Sequence, residues 1–206
     1  MTLGRTCLYA LSWFLLAGGA TGIGIYAWSE LDRYSYQQSN AVYFPQEPLP
    51  VVVATTQPEL PARVLRPLFT APPKPPDPLL IGRMIIPRID LSVLIREGID
   101  PKTLRRAVGH LPDTALPGQP GNCVVAGHRD TFFRKLRNLE SGDQIRVVTA
   151  AGQFHYRVDR LMVVEPDFMA ALEPTSDPTV TLVTCFPFRY VGSAPRRFIV
   201  RGVQQP

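Results

Sequence analysis

Three cysteines and three histidines in 206 residues are too few for several kinds of protein. A disulfide-stapled scaffold needs an even, dense cysteine framework, and this chain has none. No CxxC and no paired histidine spacing occurs, so a zinc site lacks its ligands. Loop carboxylates Asp113, Glu165, Asp167 and Glu173 are too sparse for a calcium site, and no metal or other cofactor is expected. Runs of like charge are also missing. From Leu79 onward 17 basic residues face 12 acidic ones, as scattered singles and pairs. That is no aromatic-interleaved basic stripe, so nucleic acid is not an expected partner. A mild attraction to anionic cell-surface polymers is compatible with the net charge of +5.

Proline, in contrast, is abundant and unevenly placed. Eleven of the 22 prolines fall between Pro45 and Pro78, which divides the chain. Before them, Arg5 precedes an uncharged run from Thr6 to Ser29 containing Leu8, Leu11, Trp13, Phe14, Ile23, Tyr26 and Trp28. As a helix it rises about 35 Å, enough for a hydrocarbon core of about 30 Å. Ala17–Ala20 offers small residues for signal cleavage, but apolar character continues past that point to Trp28, which favours an uncleaved anchor. Residues 1–29 are therefore read as a single-pass anchor, N-terminus cytoplasmic and the remainder outside. Gly18 and Gly22 have GxxxG spacing, which glycine's frequency in membrane helices already explains. Residues 30–78 form a juxtamembrane and Pro-rich linker, expected to continue briefly as a helix at the membrane surface. Its proline stretch is expected to be semi-rigid and to hold the next domain off the bilayer.

Residues 79–206 have the texture of one globular domain of short strands. Leu80–Pro87 and Leu91–Ile95 read as a hairpin. Asp100 is the expected N-cap of a short helix with Pro101 at its first position. Cys123–Ala126 is a buried strand, and Asp130 is placed to cap the helical turns that follow or to orient His128. Gln144–Thr149 and Gln153–Val158 make a second hairpin, with Leu161–Val164 continuing it. Thr179–Cys185 and Arg197–Val203 complete eight or so strands. The fold class is mainly β, a closed or nearly closed barrel with small helices.

Thr181–Cys185 is the stretch where chemistry concentrates. A β-branched strand ends on a thiol and is stopped at Pro187. An unperturbed thiol is only a few per cent ionised at pH 7, so a nucleophilic cysteine needs an imidazole partner. His128 ends the other apolar strand, Val124–His128. Acyl transfer also needs positive charge at the developing oxyanion, and Arg196 or Arg197 returns on the next strand. Cys7 and Cys123 read as small buried residues, with a Cys123–Cys185 disulfide left open. His155, flanked by Phe154 and Tyr156, reads as surface.

These residues resemble the sortase family. Thr181-Leu182-Val183-Thr184-Cys185 matches its TLxTC signature. Ala126-Gly127-His128-Arg129-Asp130-Thr131-Phe132-Phe133 matches the histidine motif of class D-like members, and Ser193-Ala194-Pro195-Arg196-Arg197-Phe198 matches the arginine segment. The resemblance runs through residues 80–203 in order and spacing. It implies a closed eight-stranded sortase-type barrel and a cysteine transpeptidase. Such enzymes cleave an LPxTG-like sorting signal near the C-terminus of substrate proteins and hold the acyl fragment as a thioester. An amine nucleophile, a peptidoglycan stem peptide or a pilin lysine, then takes the fragment. By that correspondence Cys185 is the nucleophile, His128 the general acid/base and Arg197, not Arg196, the oxyanion or substrate arginine. Thr184 and His110 are substrate-side candidates, His110 with a hydrogen-bonded structural role as the plainer reading. A thiol hydrolase on envelope peptides and an inactive tethered barrel are the alternatives.

Overall fold

The computed structural model describes residues 3–45, 77–190 and 192–206. Most of the Pro-rich linker therefore lies outside the described residues. The barrel strands are β1 (Leu80–Ile86), β2 (Leu91–Glu97), β3 (Val108–His110) and β4 (Asn122–Ala126). They continue with β5 (Gln144–Thr149), β6 (Gly152–Val164), β7 (Thr179–Phe186) and β8 (Arg196–Gln204). They close in the order β1-β2-β3-β4-β7-β8-β6-β5. Only β2–β3 and β4–β7 run parallel. The expected barrel and both expected hairpins are present.

Alternation along the strands builds the core. Val93 and Ile95, Cys123 and Val125, Val180 and Leu182, with Met84 and Ile86, point inward together. The strands β1 and β2 are buried on their other face too, which is why their sequences read as nearly unbroken apolar runs. On that outer face Leu80, Ile85, Leu94, Ala107 and Val148 form a second cluster, closed by Phe44.

Phe44 reaches that face because the N-terminal helix does not stop where its apolar run stops. Helix α1 spans Leu3–Ser39, 37 residues, and a 3-10 turn follows at Ala41–Tyr43. At 1.5 Å per residue α1 is about 55 Å long, well beyond a hydrocarbon core of about 30 Å. Its first part is apolar and long enough to cross a membrane, with Trp13, Phe14, Ile23 and Trp28 bare. So much exposed apolar surface calls for a non-aqueous neighbour.

The last two turns of α1 dock on the barrel. Asp32 accepts two bonds from Arg106, at 2.8 and 2.7 Å, and lies 3.5 Å from Arg105. Both arginines belong to α2 (Pro101–Arg106), which Asp100 caps through the Lys102 and Thr103 amides as expected. Gln37 donates to the Arg106 carbonyl at 2.7 Å and accepts from the Leu94 amide at 3.1 Å. Tyr36 donates to Asp77 at 2.7 Å, and buried Arg83 donates to the Phe44 carbonyl at 2.6 Å. Both ends of the Pro-rich stretch are thus fixed to one side of the barrel. The barrel is seated against the last turns of α1, while most of the proline stretch expected to act as a spacer lies outside the described residues.

Candidate active site

Two ladders decide where the chemistry-bearing residues sit. Parallel pairing of β4 with β7 sets Ala126 opposite Val183. The Gly127 amide then donates to the Val183 carbonyl at 3.1 Å, and the Thr184 hydroxyl donates to the Gly127 carbonyl at 2.7 Å. Two residues past Ala126 is His128, and two past Val183 is Cys185. The antiparallel ladder of β7 with β8 pairs Cys185 with Arg197 and Phe186 with Arg196. Neighbouring strands are about 4.8 Å apart, so Arg197 lies beside Cys185, and the register carries the turn holding His128 past the end of β4 towards the same end of β7. Strand alternation puts Cys185 and Arg197 on the outer face and sends Leu182 and Thr184 inward.

Surroundings then separate the two arginines. Arg197 is half-buried and gives part of its guanidinium to the Ala194 and Arg196 carbonyls, at 3.2 and 3.1 Å. Arg196 is exposed and lies over the Phe186 ring, 5.2 Å from its centroid. Phe186, Phe188 and Phe198 stack edge and face at 5.3–6.4 Å, packing the base of the β7–β8 connection.

Cys123 and Cys185 are both free, which closes the disulfide possibility. They sit in opposite environments. Cys123 is 1% exposed, and burial, with the Glu97 charge adding to it, pushes its thiol up to about 12. Such a thiol is inert near neutrality. Cys185 is half-exposed at the strand end. His128 is exposed on the turn after β4, and His155 is at the surface as expected.

Thr184 and His110 are not placed as substrate contacts. Thr184 is 2% exposed and its hydroxyl is committed to Gly127, so it fastens the histidine turn to the cysteine strand. His110 is also 2% exposed. Its Nδ1 meets Glu97 at 2.8 Å, and its Nε2 meets the Ala115 carbonyl and the Thr114 hydroxyl at 3.0 Å each. That is the structural role, bracing β3 against β2 and the loop after it. Asp130 does not cap the following turn. The 3-10 segment Phe132–Asn138 starts from Thr131, with no side-chain cap.

Two brackets had no distinguishing mark in the sequence. Arg129 donates to the carbonyls of Pro187, Tyr190 and Gly192 at 3.2, 2.9 and 3.0 Å and covers the Tyr190 ring. It ties the histidine turn to the loop between Cys185 and Arg197. Asn122, 3% exposed, gives its amide to the carbonyls of Ala171 and Glu173, at 3.1 Å each. Its own oxygen accepts from Thr181 at 2.7 Å. It pins the β6–β7 loop over the outer face of the barrel. Beneath that loop a cavity of about 160 Å³ is lined by Asn122, Met162, Phe168, Thr181, Ile199 and Arg201. Gly127 is required between these parts: a Cβ there would sit 2.7 Å from the fully buried Phe133 ring. Among the described residues no group of three or more His, Cys, Asp or Glu could hold a metal.

The sortase-domain family model matches residues 84–205, which is the barrel with its three strand ends. The chain belongs to the sortase family. Sortase D of Bacillus subtilis (strain 168) is 38% identical over 122 residues, 59% of this chain and 62% of that protein. Sortase SrtE1 of Streptomyces coelicolor is 36% identical over 121 residues, 50% of this chain and 34% of that protein. The match therefore spans less than two thirds of either curated relative. Among solved structures, a Clostridium perfringens Sortase D5 transpeptidase superposes with a TM-score of 0.57 at 30% identity. That alignment covers 62% of this chain and 79% of that one. Sortase C1 of Streptococcus agalactiae gives 0.58 at 33% identity, covering 62% and 68%. The shared part is the sortase barrel, and α1 lies outside the family match.

Proposed function

We propose that this sortase is a membrane-anchored cysteine transpeptidase acting on an LPxTG-like sorting signal. The observation that supports the reading is the register that pairs Cys185 with Arg197 and sets Ala126, two residues before His128, opposite Val183, two residues before Cys185. The Cys185 sulfur attacks the scissile carbonyl as thiolate. Arg197 donates to the oxygen as it becomes an oxyanion, from guanidinium nitrogens not turned to the Ala194 and Arg196 carbonyls. The C–N bond breaks, His128 protonates the leaving amine, and a thioester remains on Cys185. An incoming amine then attacks the thioester. Its proton passes through His128 to the sulfur as the C–S bond breaks.

Residues 1–29 serve as the anchor, N-terminus inside, and residues 79–206 as the catalytic domain outside. The bare apolar surface of α1 supports the anchor. Substrates are proteins with a C-terminal sorting signal, and acceptors are amines such as a peptidoglycan stem peptide or a pilin lysine. Incubation of the full chain with an LPxTG-type peptide, with and without an added amine, tests the reading. Amine-dependent ligation product, absent in Cys185→Ala, is expected. Hydrolysis product alone at every amine concentration would replace the transpeptidase with a thiol hydrolase.

A further inference from the structure

Two cavities adjoin the elements that carry the site, one against the stem of β7 and one against His128, and chemistry distinguishes them. One lies under the β6–β7 loop and is lined by Thr181 and Ile199 of the cysteine strand and its neighbour. The other, about 380 Å³, is lined by His128 itself, with Asp130 and Thr131 of its turn. Its remaining wall comes from Tyr26, Ser29, Glu30 and Arg33 of α1 and from Pro101 and Arg105 of α2. In acyl transfer the group that must touch the imidazole is the amine, which gains or loses its proton there.

The charges in this cavity are mostly committed. Arg33 pairs with Glu30, and Arg105 lies 3.5 Å from Asp32. Asp130 is exposed and has no hydrogen-bond or ion-pair partner among the described residues. The Thr131 hydroxyl beside it is buried and also lacks a partner. A carboxylate and an unpaired hydroxyl next to an imidazole fit an alkylammonium group, which brings three donors.

We propose that the cavity between α1 and the His128 turn is the amine subsite, with Asp130 as the residue that receives the acceptor's ammonium group. This rests on the transpeptidase reading. The ammonium gives one proton to water, and the free amine attacks the thioester carbonyl. A C–N bond forms, the C–S bond breaks, and the second proton travels through His128 to Cys185. Tyr26 and Ser29 end the apolar run of α1, so the subsite opens where the helix leaves the bilayer. The anchor is thus one wall of the active site, and acceptors are taken up at the membrane surface.

The test uses the full chain in detergent micelles with an LPxTG-type peptide and two acceptors. Triglycine amide carries a cationic amine, whereas hydroxylamine is uncharged near neutrality. Asp130→Asn is expected to raise KM for triglycine amide about tenfold relative to KM for hydroxylamine, and Asp130→Glu to restore most of it. Ser29→Trp, which fills the cavity from the α1 side, is expected to raise KM for triglycine amide at least fivefold. An unchanged ratio of the two KM values in Asp130→Asn would overturn the assignment, as would a normal KM in Ser29→Trp. Failure of the transpeptidase reading shows separately, as a wild-type chain that forms no Cys185 adduct before any acceptor is added.

Discussion

Replacing Thr184 by valine separates two jobs for one hydroxyl. The side chain is 2% exposed, and its hydroxyl donates to the Gly127 carbonyl at 2.7 Å, one residue before His128. Valine keeps the shape and removes the donor. The orphaned, partly buried carbonyl costs about 1–3 kcal/mol. Exchanging hydroxyl for methyl in an apolar setting offsets about 0.8 kcal/mol of that. A net loss of about 1–2 kcal/mol is expected, which for a domain of this size lowers Tm by about 3–8 °C. Since the same bond holds the His128 turn against the Cys185 strand, kcat/KM is expected to fall about tenfold. Thermal unfolding and steady-state peptide cleavage, measured on one preparation, read both numbers. If activity fell with Tm unchanged, the hydroxyl would be serving substrate, and the fastening role assigned to Thr184 would be refuted.

Other expectations follow from the same geometry. Arg197→Ala should lower kcat at least 100-fold, against less than threefold for Arg196→Ala, because only Arg197 is paired with Cys185. Equal losses would remove the assignment. Native protein treated with iodoacetamide should be alkylated at Cys185 and spared at Cys123, which is buried with its thiol pushed up to about 12. Mass spectrometry of peptides decides this. The Arg106 guanidinium on Asp32 holds that carboxyl below its usual range. A depressed carboxylate stabilises above its unfolded value, near 3.9, and loses that contribution as pH falls through its folded value. Amide exchange across residues 30–39, relative to intrinsic rates, should therefore be flat from pH 7 to about 4 and rise below it. In Asp32→Asn it should be fast throughout, and a pH-dependent rise persisting in that variant would exclude Asp32 as its origin.

What could be read from sequence was whatever repeats locally. The β-branched run ending at Cys185 and the apolar run ending at His128 are visible as strands. Hairpin-length separation is enough to suggest that Arg196 or Arg197 returns beside Cys185, and the family resemblance then favours Arg197. The barrel and the Asp100 cap followed from the same local patterns. Side-chain commitments made across long separations were not readable. Thr184 looked free to meet substrate because nothing in TLVTC says that its hydroxyl faces Gly127, 57 positions earlier. The docking of α1 depends on Asp32 meeting Arg106, 74 residues away, and on Gln37 bridging two elements. Helix periodicity carries no signal of either. Asp130 had the right chemistry for a cap, but the turn starts one residue later, at Thr131. Asn122 and Arg129 read as an ordinary strand start and an ordinary surface cation until their carbonyl partners are seen.

The central claim is that Cys185 carries the acyl group. The most direct measurement is the intact mass of the full chain after brief exposure to an LPxTG-type peptide at low amine concentration, followed by peptide mapping. A hydroxylamine-sensitive adduct of the acyl fragment, confined to Cys185 and missing in His128→Ala, is the expected result. Peptide cleavage at the wild-type rate in Cys185→Ala, or an adduct on any other residue, would contradict it.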